Sequence, residues 1–222
     1  PQMGTMLCYL TPDAAVSAEM LDKALREVVG KTFNRISVDG DMSTNDTCIV
    51  MANGLAENPC IATEGKDFEA FKMAMFAVCL YLCRLMAKDG EGATHLMTCR
   101  VSGAATEQSA EVIGKSVINS SLTKAAIFGA DANWGRVLCA MGYSGEDFDP
   151  DKVSISFVSD AGEVLVCENG RGVDFSEEDA KAILSQEEVI IDIRMQEGDA
   201  QAICWGCDLT YDYVKINGDY RT

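Results

Sequence analysis

The sequence holds one histidine, His95, among 222 residues. That scarcity bears on metal chemistry. A structural zinc site takes four ligands, mostly cysteine and histidine, and the pair Cys204 and Cys207 has no second pair close in sequence to complete one. Basic residues are also few, 18 against 35 acidic ones, for a net charge of −17. Such a balance repels phosphate backbones and argues against nucleic acid as a partner. Small zwitterionic substrates, steered by local groups, stay open. No basic, Ser-rich or signal-like segment opens the chain. The longest charge-free apolar run near the middle, residues 73–83, falls short of the roughly 20 residues a membrane-spanning helix needs. Lys66, Lys72, Arg84 and Lys88 interrupt the region around it. The expectation is a cytoplasmic protein without a membrane partner. Internal repeats and low-complexity linkers are lacking too.

What is present fits an ordinary globular protein: 48% hydrophobic and 24% charged residues, in a chain long enough to bury a core in one large domain or two smaller ones. Ten cysteines could suggest a disulfide scaffold. The chain is large and core-rich, and Cys8, Cys48, Cys79 and Cys139 lie inside apolar runs, so reduced, buried thiols are expected. Cys204-Trp205-Gly206-Cys207 is a C-x-x-C, but a redox motif is expected near a βαβ unit with one thiol at a helix start. Here the motif falls in a strand-and-turn segment. Buried thiols are the favoured reading and a redox or metal role the rival.

Taken in order, residues 5–10 read as a buried strand. Ser17 caps a helix over residues 18–29, with Met20, Leu21, Ala24, Leu25 and Val28 at helical spacing. A strand ends near Val38, and residues 39–47 form a loop of short polar side chains. Two readings of that loop stand: residues bonding their own backbone, or a pre-shaped wall of a site. Residues 48–52 read as a central strand. Residues 67–88 are apolar on nearly every face, which predicts a helix buried between layers. A strand from His95 and a helix over 107–119 follow. Residues 125–128 read as a short strand, and 137–141 as helix or strand. Residues 153–158 and 163–167 form a hairpin. Ser176 caps a helix over 177–184, and 189–195 pairs with 200–205. The expected fold is α/β: layered sheets flanked by helices, because the strands at 5–10 and 48–52 are apolar on both faces. The expected domains are 1–95, 96–208, and a tail, 209–222, returning to the first.

Two local features bear on chemistry. A threonine that becomes a chain's first residue gains its own α-amine as base, and such amines ordinarily titrate at about 7.7–8.0. Cleavage between Gly4 and Thr5 would create nucleophile and base together. Alone the pattern is weak, because Gly-Thr begins many strands and threonine simply favours extended backbone. Glu91, in the Gly-rich turn at 89–94, is either an exposed turn residue or a carboxylate placed to receive a substrate ammonium.

Five stretches then line up: Met3 to Leu7 (MGTML), Phe33 to Thr47 (FNRISVDGDMSTNDT), Asp89 to Thr94 (DGEGAT), Asp131 to Arg136 (DANWGR) and Ile216 to Thr222 (INGDYRT). In this order they resemble the β-chain of the glutamate N-acetyltransferase/ornithine acetyltransferase family, the ArgJ family. The resemblance covers essentially the whole chain. It implies a layered α-β-β-α sandwich of the DmpA/ArgJ kind with a smaller C-terminal mixed domain. It implies self-cleavage between Gly4 and Thr5, with Thr5 as catalytic nucleophile. The acetyl group would pass from N-acetyl-L-ornithine to L-glutamate through an acetyl-threonyl intermediate, in arginine biosynthesis. Glu91, Asn217 and Thr222 carry over as substrate contacts beside Thr5. Asp131, Asn133 and Arg136 are taken as structural loop residues. No metal or cofactor is implied, though acetyl-CoA can be a co-substrate. The partner implied is the α-chain of the same precursor, in a heterotetramer of two α and two β chains. The α-half would supply a Thr-Gly pair for the oxyanion and a substrate-binding lysine, so the chain alone is expected to be inactive. Two rival readings are an N-terminal-nucleophile amidohydrolase or aminopeptidase, and a non-catalytic subunit whose Gly4–Thr5 bond stays intact.

Overall fold

A computed structural model describes residues 5–219. The chain divides into two compact units: one holds the residues up to Ile36 together with Gly40–Leu85, the other Ser37–Asp39 and the residues from Met86 onward.

In the first unit a short strand β1 (Leu7–Leu10) is followed by helix α1 (Ala18–Lys31), strand β2 (Thr47–Val50) and helix α2 (Lys66–Lys88), which runs through the unit boundary. The Ser17 side chain accepts from the Met20 amide and starts α1, as the sequence predicts. Met20, Ala24 and Val28 form its buried stripe. A 3₁₀ turn, Phe33–Arg35, stands where a strand ending near Val38 is expected. β1 and β2 pair in parallel, with Cys8 opposite Cys48.

Burial here departs from the sequence reading. β1 alternates, with Cys8 and Leu10 buried but Leu7 and Tyr9 60% and 59% exposed. α2 buries Phe68, Met75, Cys79, Cys83 and Ala87, a single stripe at helical spacing. Its other side shows Met73, Val78, Tyr81 and Leu85 to solvent. Apolar composition on every face therefore does not mean burial on every face among the described residues. By length and composition alone α2 could cross a membrane. A hollow of about 380 Å³ opens between the end of β1 and α2, lined by Leu10, Pro12, Phe71, Met75 and Val78 among others.

The second unit contains strand β3 (Leu96–Ala104), helices α3 (Glu107–Asn119), α4 (Ser121–Phe128) and α5 (Trp134–Gly142), strands β4 (Ser154–Ser159), β5 (Gly162–Glu168) and β6 (Arg171–Gly172), helix α6 (Glu177–Leu184), strands β7 (Glu188–Arg194) and β8 (Ala200–Cys207), and helix α7 (Tyr211–Asp219). Its sheet has the order β6-β5-β4-β7-β3-β8; only β3 and β7 run parallel. Helix α3 lies against β3 and β8, and α6 against β4 and β5. Met97, Cys99, Val101, Ile113, Val117, Ile155, Phe157, Ile191 and Ile193 belong to one core.

Two expectations are corrected in this unit. Residues 125–128 are not a strand but the end of α4, which the Ser120 side chain caps by accepting from the Thr123 amide. β7 and β8 do not pair with each other, because β3 lies between them. The connection after β7 is stitched to β3, with the Met195 amide on Ser102 and the Glu197 and Gly198 amides on the Gly103 carbonyl. The segment read as a tail holds helix α7. The α/β class itself holds.

Candidate active site

The DGEGAT stretch connects α2 to β3, and its two glycines set how closely it lies to the chain's last elements. A Cβ on Gly90 would meet the Cys207 sulfur at 2.7 Å. Gly92 has φ +67, and a Cβ there would meet the Tyr213 nitrogen at 2.8 Å. Only glycine fits a left-handed backbone pressed against the first turn of α7. Between the two, Glu91 is brought to Asn217: the Asn217 side-chain nitrogen donates to the Glu91 carboxylate at 2.6 Å. The same nitrogen donates to the Tyr213 carbonyl at 3.1 Å. With both N–H groups engaged, the pair offers acceptors among the described residues: the amide oxygen of Asn217 and the second oxygen of Glu91. Two acceptors, one of them charged, suit a cation with several N–H groups.

Polar groups that sequence reasoning missed hold this arrangement from behind. Asp208, 3% exposed, accepts from the Thr94 amide at 2.8 Å, the His95 amide at 3.0 Å and His95 Nδ1 at 2.9 Å, and from the Thr94 hydroxyl. Burial pushes its carboxyl up, but His95 and Thr94 together outweigh burial and hold it below its ordinary value. The Thr210 hydroxyl donates to the Gly92 carbonyl at 2.7 Å. Lys124, also buried, donates to the carbonyls of Val38 and Cys207 at 2.6 and 2.5 Å, and burial lowers its pKa. None of these residues has a local pattern to announce it. Their partners lie 83–118 residues away.

Thr5 belongs to the first unit. It is exposed just ahead of β1, its hydroxyl 2.7 Å from that of Ser43. The Met6 amide donates to Asp46 at 2.9 Å, and the Thr47 amide donates to the Met6 carbonyl at 2.8 Å. The first reading of the polar loop, residues bonding their own backbone, is met. Ser43 accepts from the Asn45 amide and the Thr47 hydroxyl donates to the Asn45 carbonyl, while Ser43 and Asp46 also hold the strand entry at Thr5. The structure brings Glu91 and Asn217 together in the second unit. Gly4 and Thr222 lie outside the described residues.

The remaining sequence candidates fall into place as structure. Asn133 caps α5 by accepting from the Arg136 amide and donates to Asp131 at 3.0 Å, and Arg136 donates to the Leu122 carbonyl at 3.0 Å. Cys204 and Cys207 are buried thiols on β8. Three residues apart on a strand, they point to opposite faces, which is no geometry for a C-x-x-C disulfide. Among the described residues no three metal-binding side chains gather into a cluster.

The described residues thus form a mixed α/β chain with an exposed threonine at a strand entry and a carboxylate–amide pair. Comparison with known proteins makes this specific. The ArgJ family model matches residues 1–222, and the chain belongs to that family. The arginine biosynthesis bifunctional protein ArgJ of Caldanaerobacter subterraneus subsp. tengcongensis is 54% identical over 222 residues, 100% of this chain and 55% of that protein. The protein of the same name from Symbiobacterium thermophilum is 50% identical, over 100% of this chain and 54% of its own length. A crystal structure of ArgJ from Bacillus halodurans superposes with a TM-score of 0.92 at 43% identity, covering 97% of this chain and 100% of the solved one. The chain spans about half the length of the curated relatives it matches.

Proposed function

We propose that this chain is the C-terminal, nucleophile-bearing part of an acetyltransferase of arginine biosynthesis, active in the cytoplasm together with the part that precedes it. The observation that carries the reading is the Glu91–Asn217 pair, two exposed groups 126 residues apart held as a ready-made acceptor for an ammonium. N-Acetyl-L-ornithine carries one ammonium, at the end of its side chain, and Glu91 is the group assigned to receive it. Asn217 and Thr222 complete the contacts to the substrate.

The proposed reaction begins once the Gly4–Thr5 bond is cut. The freed Thr5 amine takes the proton of the Thr5 hydroxyl as its oxygen attacks the acetyl carbonyl. The tetrahedral intermediate collapses, the C–N bond to ornithine breaks, and the same amine returns the proton to the departing nitrogen. The α-amine of L-glutamate then attacks the acetyl-threonyl ester, the Thr5 oxygen leaves and recovers its proton, and N-acetylglutamate is released. The oxyanion donors are assigned to the preceding part. Losing one such donor typically lowers the rate by about 10²–10³, so the chain alone is proposed to be inactive. Acetyl-CoA is included as a second acetyl donor, which suits the word bifunctional in the relatives' names.

Two observations support a two-part molecule. The curated relatives are nearly twice as long as this chain, yet a solved ArgJ chain is covered over 100% of its length by it. The exposed apolar residues of β1 and α2, with the hollow beside them, form a surface of the kind partner proteins cover. That covering is assigned to the preceding part, in an assembly of two copies of each, rather than to a lipid bilayer.

The test is to express the whole precursor, weigh the chains, and trap the enzyme with N-acetylornithine in the absence of glutamate. The expected result is a chain beginning at Thr5 that carries one acetyl group on that residue. Turnover by a precursor still joined at Gly4–Thr5 would overturn the mechanism. Release of acetate to water at the same rate with and without glutamate would make the enzyme a hydrolase.

A further inference from the structure

Thr210 is only 5% exposed, yet it opens a helix in which no residue is buried. Its hydroxyl does two things at once. It donates to the Gly92 carbonyl at 2.7 Å and accepts from the Tyr213 amide at 3.2 Å. Gly92 follows Glu91 in the chain. Tyr213 lies one turn before Asn217, and its carbonyl accepts from the Asn217 side chain, which also donates to Glu91. These contacts close a ring: Glu91, Gly92, Thr210, Tyr213, Asn217 and back to Glu91. Two members of the ring are exposed side chains facing outward. The buried member is one hydroxyl.

We propose that Thr210 is a positioning residue for substrate binding, setting the separation and orientation of Glu91 and Asn217 from behind. The inference rests on the reading of those two residues as substrate contacts. Other contacts hold α7 elsewhere: the Tyr211 ring meets Phe128 edge-on at 5.5 Å, and the Tyr213 hydroxyl donates to Asp39 at 3.1 Å. Neither touches the loop that carries Glu91. The Gly92 backbone lies close against Asp212 and Tyr213, where an added Cβ would meet the Tyr213 nitrogen at 2.8 Å. Valine matches threonine in shape but can neither donate to the Gly92 carbonyl nor cap the Tyr213 amide. The two backbone groups would then part to find water, and the pair in front would lose its spacing. Asp208 backs the same loop through Thr94 and His95, so the hinge of that movement is Gly92 and its glycine freedom.

The test uses the complete enzyme, this chain produced with the part that precedes it, and measures kcat and KM for N-acetylornithine. Thr210→Val is expected to raise KM about tenfold while kcat stays within about twofold, because the lost interaction concerns binding. Thr210→Ser, which keeps the hydroxyl, is expected to return KM to within about twofold of the parent. A double-mutant cycle separates positioning from simple destabilisation. In an Asn217→Ala background Thr210→Val is expected to raise KM by a smaller factor than in the parent, since one of the two groups it positions is gone. An undiminished effect in that background overturns the inference, as does a parental KM in Thr210→Val. Should Thr210→Val fail to fold, Thr210→Ala against Thr210→Ser makes the same comparison. A KM effect of Glu91→Gln without one of Thr210→Val overturns this inference alone. No effect of Glu91→Gln or Asn217→Ala overturns the reading of the site, and the inference with it.

Discussion

The hydroxyl oxygens of Thr5 and Ser43 lie 2.7 Å apart, joining positions 38 residues distant in the sequence. Ser43 is in turn fixed by the Asn45 amide at 3.1 Å. The Thr5 oxygen is therefore oriented by a group that is itself held. A neutral hydrogen bond is worth about 1 kcal/mol, or about fivefold in rate. Ser43→Ala is expected to slow acetyl transfer by about that factor, whereas Thr5→Ala abolishes processing and transfer with the fold intact. Single-turnover acetylation of the complete enzyme measures the first effect. Residual transfer by Thr5→Ala above background would count against Thr5 as nucleophile.

Glu91→Gln keeps the shape of the carboxylate and removes its charge. A hydrogen bond to a charged group is worth about 1.5–3 kcal/mol, so KM for N-acetylornithine is expected to rise by about tenfold or more. Glutamate lacks the side-chain ammonium, so its KM should move less. Steady-state kinetics varying each substrate in turn read the contrast, and equal rises for both would assign Glu91 a different role.

Asp208 links stability to acid. Burial works against its charge, yet the donors of His95 and Thr94 hold its carboxyl below the ordinary 3.8. A carboxyl depressed in the folded state lends stability above its unfolded value, and that stability is lost as pH falls through the folded one. Asp208→Asn is expected to destabilise the protein by about 1–3 kcal/mol near neutrality. The gap to the parent should narrow below about pH 4. Thermal unfolding of both proteins across that range tests this, and a gap that stays constant would show that the charge of Asp208 plays no part.

The exposed apolar side of α2 makes a different kind of prediction. Met73 and Tyr81 are 68% and 65% exposed, so charging them removes no buried contact within this chain. Met73→Glu with Tyr81→Glu is expected to leave the thermal stability of the isolated chain unchanged and improve its solubility. The same pair of changes is expected to prevent stable association with the preceding part. Size-exclusion chromatography of the co-expressed halves decides it: an intact complex would place the interface elsewhere.

How much of this is legible in the sequence follows from where each signal lives. Helix α3 at Glu107–Asn119 and helix α6 at Glu177–Leu184 can be read with their bounds, because period and caps are local. α4 reads wrongly because Ala125 to Phe128 is too short a run to show a period. The place of β3 between β7 and β8 is a long-range pairing, and adjacency in sequence argues for a hairpin instead. Glu91 and Asn217 are named through family resemblance, and the structure brings the two together. Asp208, Thr210 and Lys124 escape sequence reasoning, and Ser43 is legible only as part of a polar loop. Each is a single polar residue, in a loop or, for Lys124, midway along α4, and its meaning lies in a partner that no local window contains.

The bare flank of β1 and α2 bears on how such a protein has to be made. Leu7, Tyr9, Met73 and Tyr81 standing in water invite clumping in proportion to concentration. On the proposed two-part reading, one translated message would bring every such flank its cover during folding, in equal dose and without a search. Anyone splitting the gene into separate expression cassettes gives up that timing, and yield should then track whichever piece is synthesised first.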